Sequence, residues 1–373
     1  MAVSRIDEAG LNVNQYGNRN LVINGGMQVW QRATAATAVS NSTYGTVDRY
    51  RFWENTDGAY TAERSTDVPS GQGFTYSTKL VVTTADTSLA AGQYAQFGQR
   101  IEAQNLQRLS YGTSGAETIT VSFWVKSSKT GNYAFNVYKD AAGNTAYLYY
   151  KSFSIDAANT WEKKIITVSP TAGSTSFITS SAGAIDPANT SGMELYFTLA
   201  MGSTYHGATD DSWSSNMNHY STSSNVNWMD STSNNFYLTG VQLEVGDTAT
   251  DFEHRTFADE LAKCQRYYHK IDAATAYSTL GTAALSTATI STIYPFAGFN
   301  LRSVPTLESS GVSTFLLQCN NANESVSALS INSHASKQAP ICSCTHDSST
   351  GGLAGSLIAN NNAAAYIAFS SEL

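Results

Sequence analysis

Apolar and polar positions alternate with a period of two along much of the first 250 residues, the mark of half-buried strands. Ile119–Lys126 is the cleanest case: Ile119, Val121, Phe123 and Val125 share one face, and Thr120, Ser122, Trp124 and Lys126 the other. The same period predicts strands at Lys79–Val82, Tyr133–Tyr138, Ala146–Ile155 and Trp161–Val168. In Tyr94–Glu102 it sets Ala95, Phe97, Gln99 and Ile101 against Tyr94, Gln96, Gly98 and Arg100. In Met193–Met201, Met193, Leu195, Phe197, Leu199 and Met201 point inward. Asn235–Val245 divides into Tyr237, Thr239, Val241, Leu243 and Val245 on one face and Phe236, Leu238, Gly240, Gln242 and Glu244 on the other. A strand over Leu21–Trp30 opens the series, with a bulge or close backbone approach at Asn24-Gly25-Gly26. About eight to ten strands before residue 250, roughly 8 to 20 residues apart, predict an antiparallel sandwich. First and last strands patterned this strongly sit side by side in a jelly roll.

One segment changes period. Thr256 stands three residues before Asp259, like a capping box. Phe257, Leu261, Cys264, Tyr268 and Ile271 then repeat at steps of 4, 3, 4 and 3, a heptad stripe over a connecting helix at 256–271. A helix with one face on a sheet is the common source of such a short stripe. The alternative is an oligomer axis lined by these five residues. Beyond residue 272, Ala, Ser and Thr dominate. Strands are predicted there at Ala283–Phe296, Thr306–Leu307, Thr314–Cys319, Val326–Ile331, Leu357–Ala359 and Ala364–Phe369, with an exposed turn at 347–352. The expected fold class is thus all-β: an antiparallel jelly-roll sandwich at 20–255, the short helix, and a second, smaller β-sandwich domain at 272–373. Residues 1–19, polar but for Ile6, Leu11 and Val13, read as an extended arm.

Composition narrows the function. Only 13% of the 373 residues are charged, about half the usual share, so Ser, Thr, Asn, Gln and Gly must make the polar surface. The net charge of −8, with no basic run, excludes a nucleic-acid footprint. No window approaches the roughly 18 apolar residues of a membrane helix. The acidic residues of the first eight positions do not fit a signal peptide.

Candidate chemistry is sparse. There is no nucleophile elbow, His-Glu-x-x-His or phosphate loop. Hydrolysis of a glycan needs two carboxylates about 5 to 10 Å apart; Asp210, Asp211 and Asp230 share one loop region, where solvated turn residues are the commoner reading. No enzyme is therefore expected, and no cofactor. Glu244 and Asp247 could hold a structural calcium, or form a plain turn. Cys342-Ser-Cys344-Thr-His346 has the spacing of three metal ligands, but buried thiols explain it more simply. The long connection from Gly202 to Asn235 is the candidate binding segment. It carries Tyr205, Trp213 and Tyr220 among polar residues. Such rings stack on sugar faces while Asp210 and Asp211 bond hydroxyls, unless the rings are core. Trp228 reads as core, on a hidden strand at Asn225–Met229; Trp30, Trp53, Trp124 and Trp161 read as structural.

A resemblance adds to this. Asn20-Leu-Val-Ile-Asn-Gly-Gly-Met-Gln-Val-Trp-Gln-Arg32, Asp48-Arg-Tyr-Arg-Phe-Trp53, the Asn235–Gly246 strand, Phe252-Glu-His-Arg255 and Cys264-Gln-Arg-Tyr-Tyr268 resemble, in order, a family of bacteriophage tail-fibre and related appendage proteins. Ser122-Phe-Trp-Val-Lys126 and Gly240-Val-Gln-Leu-Glu244 also resemble carbohydrate-binding modules of jelly-roll fold. The first resemblance implies a homotrimeric virion protein, a tail fibre that attaches to other phage tail or head proteins through the arm. It binds a host-surface glycan with its distal part, without inserting into the membrane. A capsid-decorating or head fibre, a surface-glycan depolymerase tailspike and a cellular carbohydrate-binding module are the alternatives. The missing signal peptide weighs against the last.

Overall fold

The structure, a computed structural model, describes residues 18–141, 144–296, 298–319, 322–347 and 353–373. All but the last two residues of the expected arm, and the turn after Asp347, lie outside these. The chain divides into two compact units, Met1–Arg255 and Thr256–Leu373.

The first unit contains strands β1 (Thr37–Ala38), β2 (Tyr50–Glu54), β3 (Ala59–Ser65), β4 (Ser77–Thr84), β5 (Tyr94–Glu102), β6 (Ile119–Ser127), β7 (Gly131–Lys139), β8 (Tyr147–Ile155), β9 (Glu162–Val168), β10 (Ser191–Met201), β11 (Ser212–Ser214) and β12 (Asn235–Val245). They form two six-stranded antiparallel sheets, β1-β3-β4-β12-β6-β9 (sheet A) and β11-β8-β7-β10-β5-β2 (sheet B). Successive strands cross repeatedly between the sheets, as in a jelly roll. The inward positions of the predicted alternation meet in an aromatic core, where Phe197 lies 5.5 Å from Phe97 and 5.0 Å from Phe123.

Three local expectations change. Leu21–Trp30 forms no strand, because Asn24 and Met27 adopt left-handed φ of 60° and 54°. The segment still runs beside β12: Leu21 N donates to Leu243 O and Val241 N to Gly25 O, each at 2.9 Å. A Cβ on Gly25 would stand 2.0 Å from Val241 O, so only glycine fits. In β12 itself the strict alternation fails. A bulge between Thr239 and Gln242, with Gly240 at φ 64°, switches the buried face from Phe236 and Leu238 to Val241 and Leu243. The hidden strand at Asn225–Met229 is absent; Trp228–Asp230 is a 3-10 turn capped by Asn227, although Trp228 is fully buried as expected.

The second unit contains α1 (Phe257–Gln265), β13 (Tyr268–Asp272), β14 (Thr279–Leu285), β15 (Ile290–Pro295), β16 (Thr306–Ser309), β17 (Phe315–Cys319), β18 (Ala322–Ile331), β19 (Cys342–His346), β20 (Ala354–Ala359) and β21 (Tyr366–Ser370). It is all-β apart from α1, and its main sheet closes as a barrel, β14-β15-β19-β18-β17-β20, beside a three-stranded sheet β13-β21-β16. The predicted strand Ala283–Phe296 folds into a hairpin because the Thr287 hydroxyl accepts from Thr289 N and Ile290 N and turns the chain.

The helix starts where expected: the Thr256 hydroxyl accepts from Asp259 N. It stops at Gln265, however, and the heptad stripe breaks. Phe257, Leu261 and Cys264 lie on α1, whereas Tyr268 and Ile271 lie on β13 and pair with Ser370 and Ile367 of β21. Aromatic and β-branched residues from Tyr267 onward gain more from that ladder than from another helical turn. The five residues therefore form no continuous helical axis; Cys264 is buried and Phe257 is 57% exposed.

The first unit is locked by buried and half-buried polar side chains drawn from segments far apart in sequence. Asn20 Oδ1 accepts from Val22 N and Leu243 N, while its Nδ2 donates to Val241 O. Glu253 accepts from the backbone N–H of Arg19 and Asn20, and Arg255 donates to Val22 O and to Glu253. Burial works against the Glu253 charge, but these donors outweigh it and hold its pKa below the usual value. Truncating Asn20 strands three buried backbone groups. We expect Asn20→Ala to lower the unfolding free energy by about 2–3 kcal/mol in chemical denaturation; a change under about 0.5 kcal/mol, the scale of an ordinary surface substitution, would contradict the role given to it.

Candidate functional site

The Gly202–Asn235 connection folds over the outer surface of sheet B. Asn136 of β7 donates to Tyr220 O at 3.0 Å, Val226 N donates to Asn132 O at 2.8 Å, and Tyr150 OH of β8 donates to Asn225 Oδ1 at 3.0 Å. The segment is therefore a folded part of the sandwich. Its residues separate into two groups.

Trp213 sits on edge strand β11, 2% exposed, with its Nε1 donating to Ser169 O and its ring 5.4 Å from Tyr149. It is core. Asp211 accepts from Tyr149 OH at 2.6 Å. Asp210 accepts from Lys151 Nζ and Ser152 N, each at 2.7 Å. Asp230 is bound by Lys129 at 2.6 Å and Asn234 at 2.8 Å. Each carboxylate thus fastens a different local structure, and none is paired with another as an acid and a base.

Tyr205 and Tyr220 belong to the second group, and the sheet extends it. The rings Trp53, Tyr196, Tyr220, Tyr205 and Tyr94 form a chain, with successive centroids 4.8, 5.8, 6.2 and 5.8 Å apart, each contact edge-to-face. Tyr138 adds a branch 6.5 Å from Tyr196. The cross-strand register accounts for this. Arg51, Gly98, Tyr196 and Asn136 are successive partners across β2, β5, β10 and β7, and Trp53, Gln96, Thr198 and Ala134 form the neighbouring row. Gly98 contributes no side chain, and the Trp53 ring closes onto Tyr196.

Charge is concentrated at one end of the ring chain. Arg100 Nε lies 2.9 Å from Glu194 Oε1, and Tyr196 OH donates to the other carboxylate oxygen. Burial opposes the Arg100 charge, but Glu194 outweighs it and raises the pKa above the ordinary value. Arg51 and Arg100 lie 5.2 and 5.7 Å from the Trp53 ring centroid, within cation–π range. Burial, then the neighbouring Arg100, lowers the Arg51 pKa. Burial raises the Tyr196, Tyr220 and Tyr138 phenols, with Glu194 adding to the effect on the first two and Asp140, then Glu194, on the third. At neutral pH these hydroxyls remain protonated. Beneath them a fixed relay runs from Gln96 Nε2 to Thr198 Oγ1 at 2.7 Å and from Thr198 to Asn136 Oδ1 at 3.0 Å. A half-buried Trp and several Tyr, flanked by guanidiniums and a carboxylate, can stack on a pyranose face and bond its hydroxyls.

Trp53 was expected to be structural, and Tyr94, Tyr138, Tyr196, Arg51, Arg100 and Glu194 were not singled out. The outward positions of Tyr94–Glu102 already contained two of them. What the period could not supply was which strands lie side by side.

The remaining candidate ligands are engaged elsewhere. Glu244 accepts from Thr250 N at 2.9 Å, Thr250 Oγ1 at 2.7 Å and Gln242 Nε2 at 3.0 Å, while the Asp247 carboxylate accepts from Thr248. In the second unit Cys342 and Cys344 point into the barrel core, and both His346 ring nitrogens have partners, Ser291 Oγ at 2.9 Å and Asp347 O at 2.6 Å. Among the described residues no group of three or more His, Cys, Asp or Glu is placed to hold a metal ion, and no helix is long and apolar enough to cross a membrane.

Neither the known protein-family models nor the curated proteins contain a match to this chain. Among solved structures it is similar to the enzymatically active domain of tailspike protein 4 of bacteriophage CBA120, at 14% identity and TM-score 0.30, over 61% of this chain and 22% of that one. It is also similar to the family 11 carbohydrate-binding module of a cellulosomal cellulase of Clostridium thermocellum, at 9% identity and TM-score 0.26, over 60% and 99% of the two chains. A third similarity is to the tandem CBM22-1–CBM22-2 domain of Paenibacillus barcinonensis Xyn10C, at 10% identity and TM-score 0.27, over 91% and 97%.

Two outcomes follow from this placement. Trp213→Ala removes a buried ring and should cost about 3–5 kcal/mol of stability, read as a large fall in Tm; an unchanged Tm would show an exposed ring instead. Burial, followed by Cys344, pushes the Cys342 thiol up to about 12, and burial pushes Cys344 to about 11, so neither is a thiolate at pH 7. A thiol reagent should therefore modify both only after denaturant is added; rapid modification of either in the folded protein would contradict this.

Proposed function

We propose that this chain is a structural virion protein of a bacteriophage, a tail fibre whose first unit binds a host-surface glycan through the outer face of sheet B. The observation that carries the binding role is the ring chain from Trp53 to Tyr94 with Arg51, Arg100 and Glu194 at its end. The virion role is supported by the resemblance of the Asn20–Arg32, Asp48–Trp53 and Asn235–Arg255 motifs to phage appendage proteins. In this reading the protein assembles as a homotrimer. The arm at 1–19 docks on other phage tail or head proteins.

Binding without hydrolysis is the favoured chemistry. Asp210, Asp211 and Asp230 are each tied to a separate structural partner, whereas glycoside hydrolysis needs two carboxyl groups facing one bond.

A glycan array built from host-surface polysaccharide, probed with the purified chain, tests the reading. Wild type should bind at least one glycan. Trp53→Ala and Tyr205→Ala should each weaken that binding by about 1 kcal/mol or more, roughly fivefold in Kd, with Tm nearly unchanged. Binding that is indifferent to both substitutions, or release of reducing ends from the polysaccharide, would overturn it.

A further inference from the structure

A second concave site lies on the other sheet. The bulge of β12 opens a cavity of about 290 Å³ on sheet A, lined by Phe74, Trp124, Lys163, Gly240, Asp251 and His254 among others. Its size is at the small end of ligand pockets, about 300–1,000 Å³, which suits one ring rather than a chain.

The cavity is shaped by a specific backbone feature. A Cβ on Gly240 would stand 2.6 Å from Phe74 and 3.0 Å from Trp124, and the φ of 64° also disfavours any other residue. Both rings therefore lie directly against bare backbone. Phe74, Phe252 and His254 form a mutually packed wall, with centroids 4.9 to 5.2 Å apart, and His254 Nε2 is 3.1 Å from Gln72 O. The wall is thus fixed in advance.

The polar groups at this cavity are left available. The Lys163 ammonium, the Asp251 carboxylate and the Ser122 hydroxyl, all from lining residues, have no partner among the described residues. Asp251 is nevertheless held in place, because its backbone carbonyl accepts from Arg19 and from Gln242 Nε2. An indole to stack on, a carboxylate to accept two hydroxyls, and an ammonium and a hydroxyl to donate are the elements of a sugar site. The charges of Lys163 and Asp251 cancel, which favours an uncharged ligand.

We infer that this cavity is a second sugar subsite of the first unit, taking one neutral hexopyranose ring against Trp124, Asp251 and Lys163. It takes its ligand class from the proposed function but uses none of the sheet B residues.

Saturation-transfer NMR on the intact chain tests this, using the methyl glycosides of glucose, galactose, mannose and N-acetylglucosamine in turn. At least one should bind saturably. Measured in the Trp53→Ala chain, which removes the sheet B contribution, Asp251→Ala should weaken that binding about tenfold or more, and Lys163→Ala should weaken it too. Both substituted positions are exposed, so unchanged melting curves will accompany the loss. No binding of any of the four, or binding to the Trp53→Ala chain that survives Asp251→Ala, overturns the subsite. Binding lost in Trp53→Ala but kept in Asp251→Ala would also overturn it, while leaving the sheet B reading standing. Conversely, glycan-array binding indifferent to Trp53→Ala would remove the sheet B reading without touching this one.

Discussion

The first unit depends on one constraint: a chain whose early and late segments flank the same strand must satisfy every buried backbone group there. β12 is paired with β4 and β6 in sheet A, and the irregular segment after Asn20 also donates to and accepts from it. That segment cannot be a regular strand, since it turns at Asn24 and Met27. Side chains therefore complete what a ladder would have supplied. Asn20, Glu253 and Arg255 provide these bonds, and Gln242 and Glu244 extend them to the Thr250–Glu253 segment. Buried groups of this kind are costly when left unpaired and specific when paired. They fix the register of β12, and with it the bulge at Gly240.

From that register both surfaces of the sandwich follow. The core is filled by inward aromatics of both sheets, so the outward rows are free to carry polar and aromatic residues. On sheet B these rows collect rings and three charged side chains, and the 202–235 connection covers part of them with Tyr205 and Tyr220. Glu194 is almost wholly buried there, which is tolerable because Arg100 and Tyr196 both engage it. On sheet A the bulge removes one side chain from the outer face and leaves a hollow instead of a ridge.

Strands with strict alternation were legible from sequence, because a period of two survives any tertiary context that buries one face. Tyr94–Glu102 matches to the residue, and Ile119–Lys126 to within one. Failures occurred where one residue broke the period. Gly240 switches the faces of β12, and the hydroxyl-rich Ser286–Thr289 turn splits one predicted strand into two. The heptad stripe was misleading for a different reason: apolar steps of 3 and 4 also arise when a short helix runs into a strand with a buried aromatic. The candidate site was legible only as a segment. Tyr205, Trp213 and Tyr220 stand out together in the composition of a long connection, with Tyr205 and Trp213 equally open to a core reading; burial puts Trp213 in the core and leaves Tyr205 and Tyr220 half-buried on the sheet. Trp53 and the Arg100–Glu194 pair were not found, because their significance lies in strand neighbours that no local pattern encodes.

The central claim is that the outward face of sheet B is where glycan binds. The chain has six Trp residues, and their indole N–H resonances distinguish surface from core directly. In a titration of the ¹⁵N-labelled chain with a host-surface oligosaccharide, the account predicts a saturable shift of the Trp53 indole while those of buried Trp213 and Trp228 stay in place. Saturable binding that leaves the Trp53 resonance unmoved would contradict it.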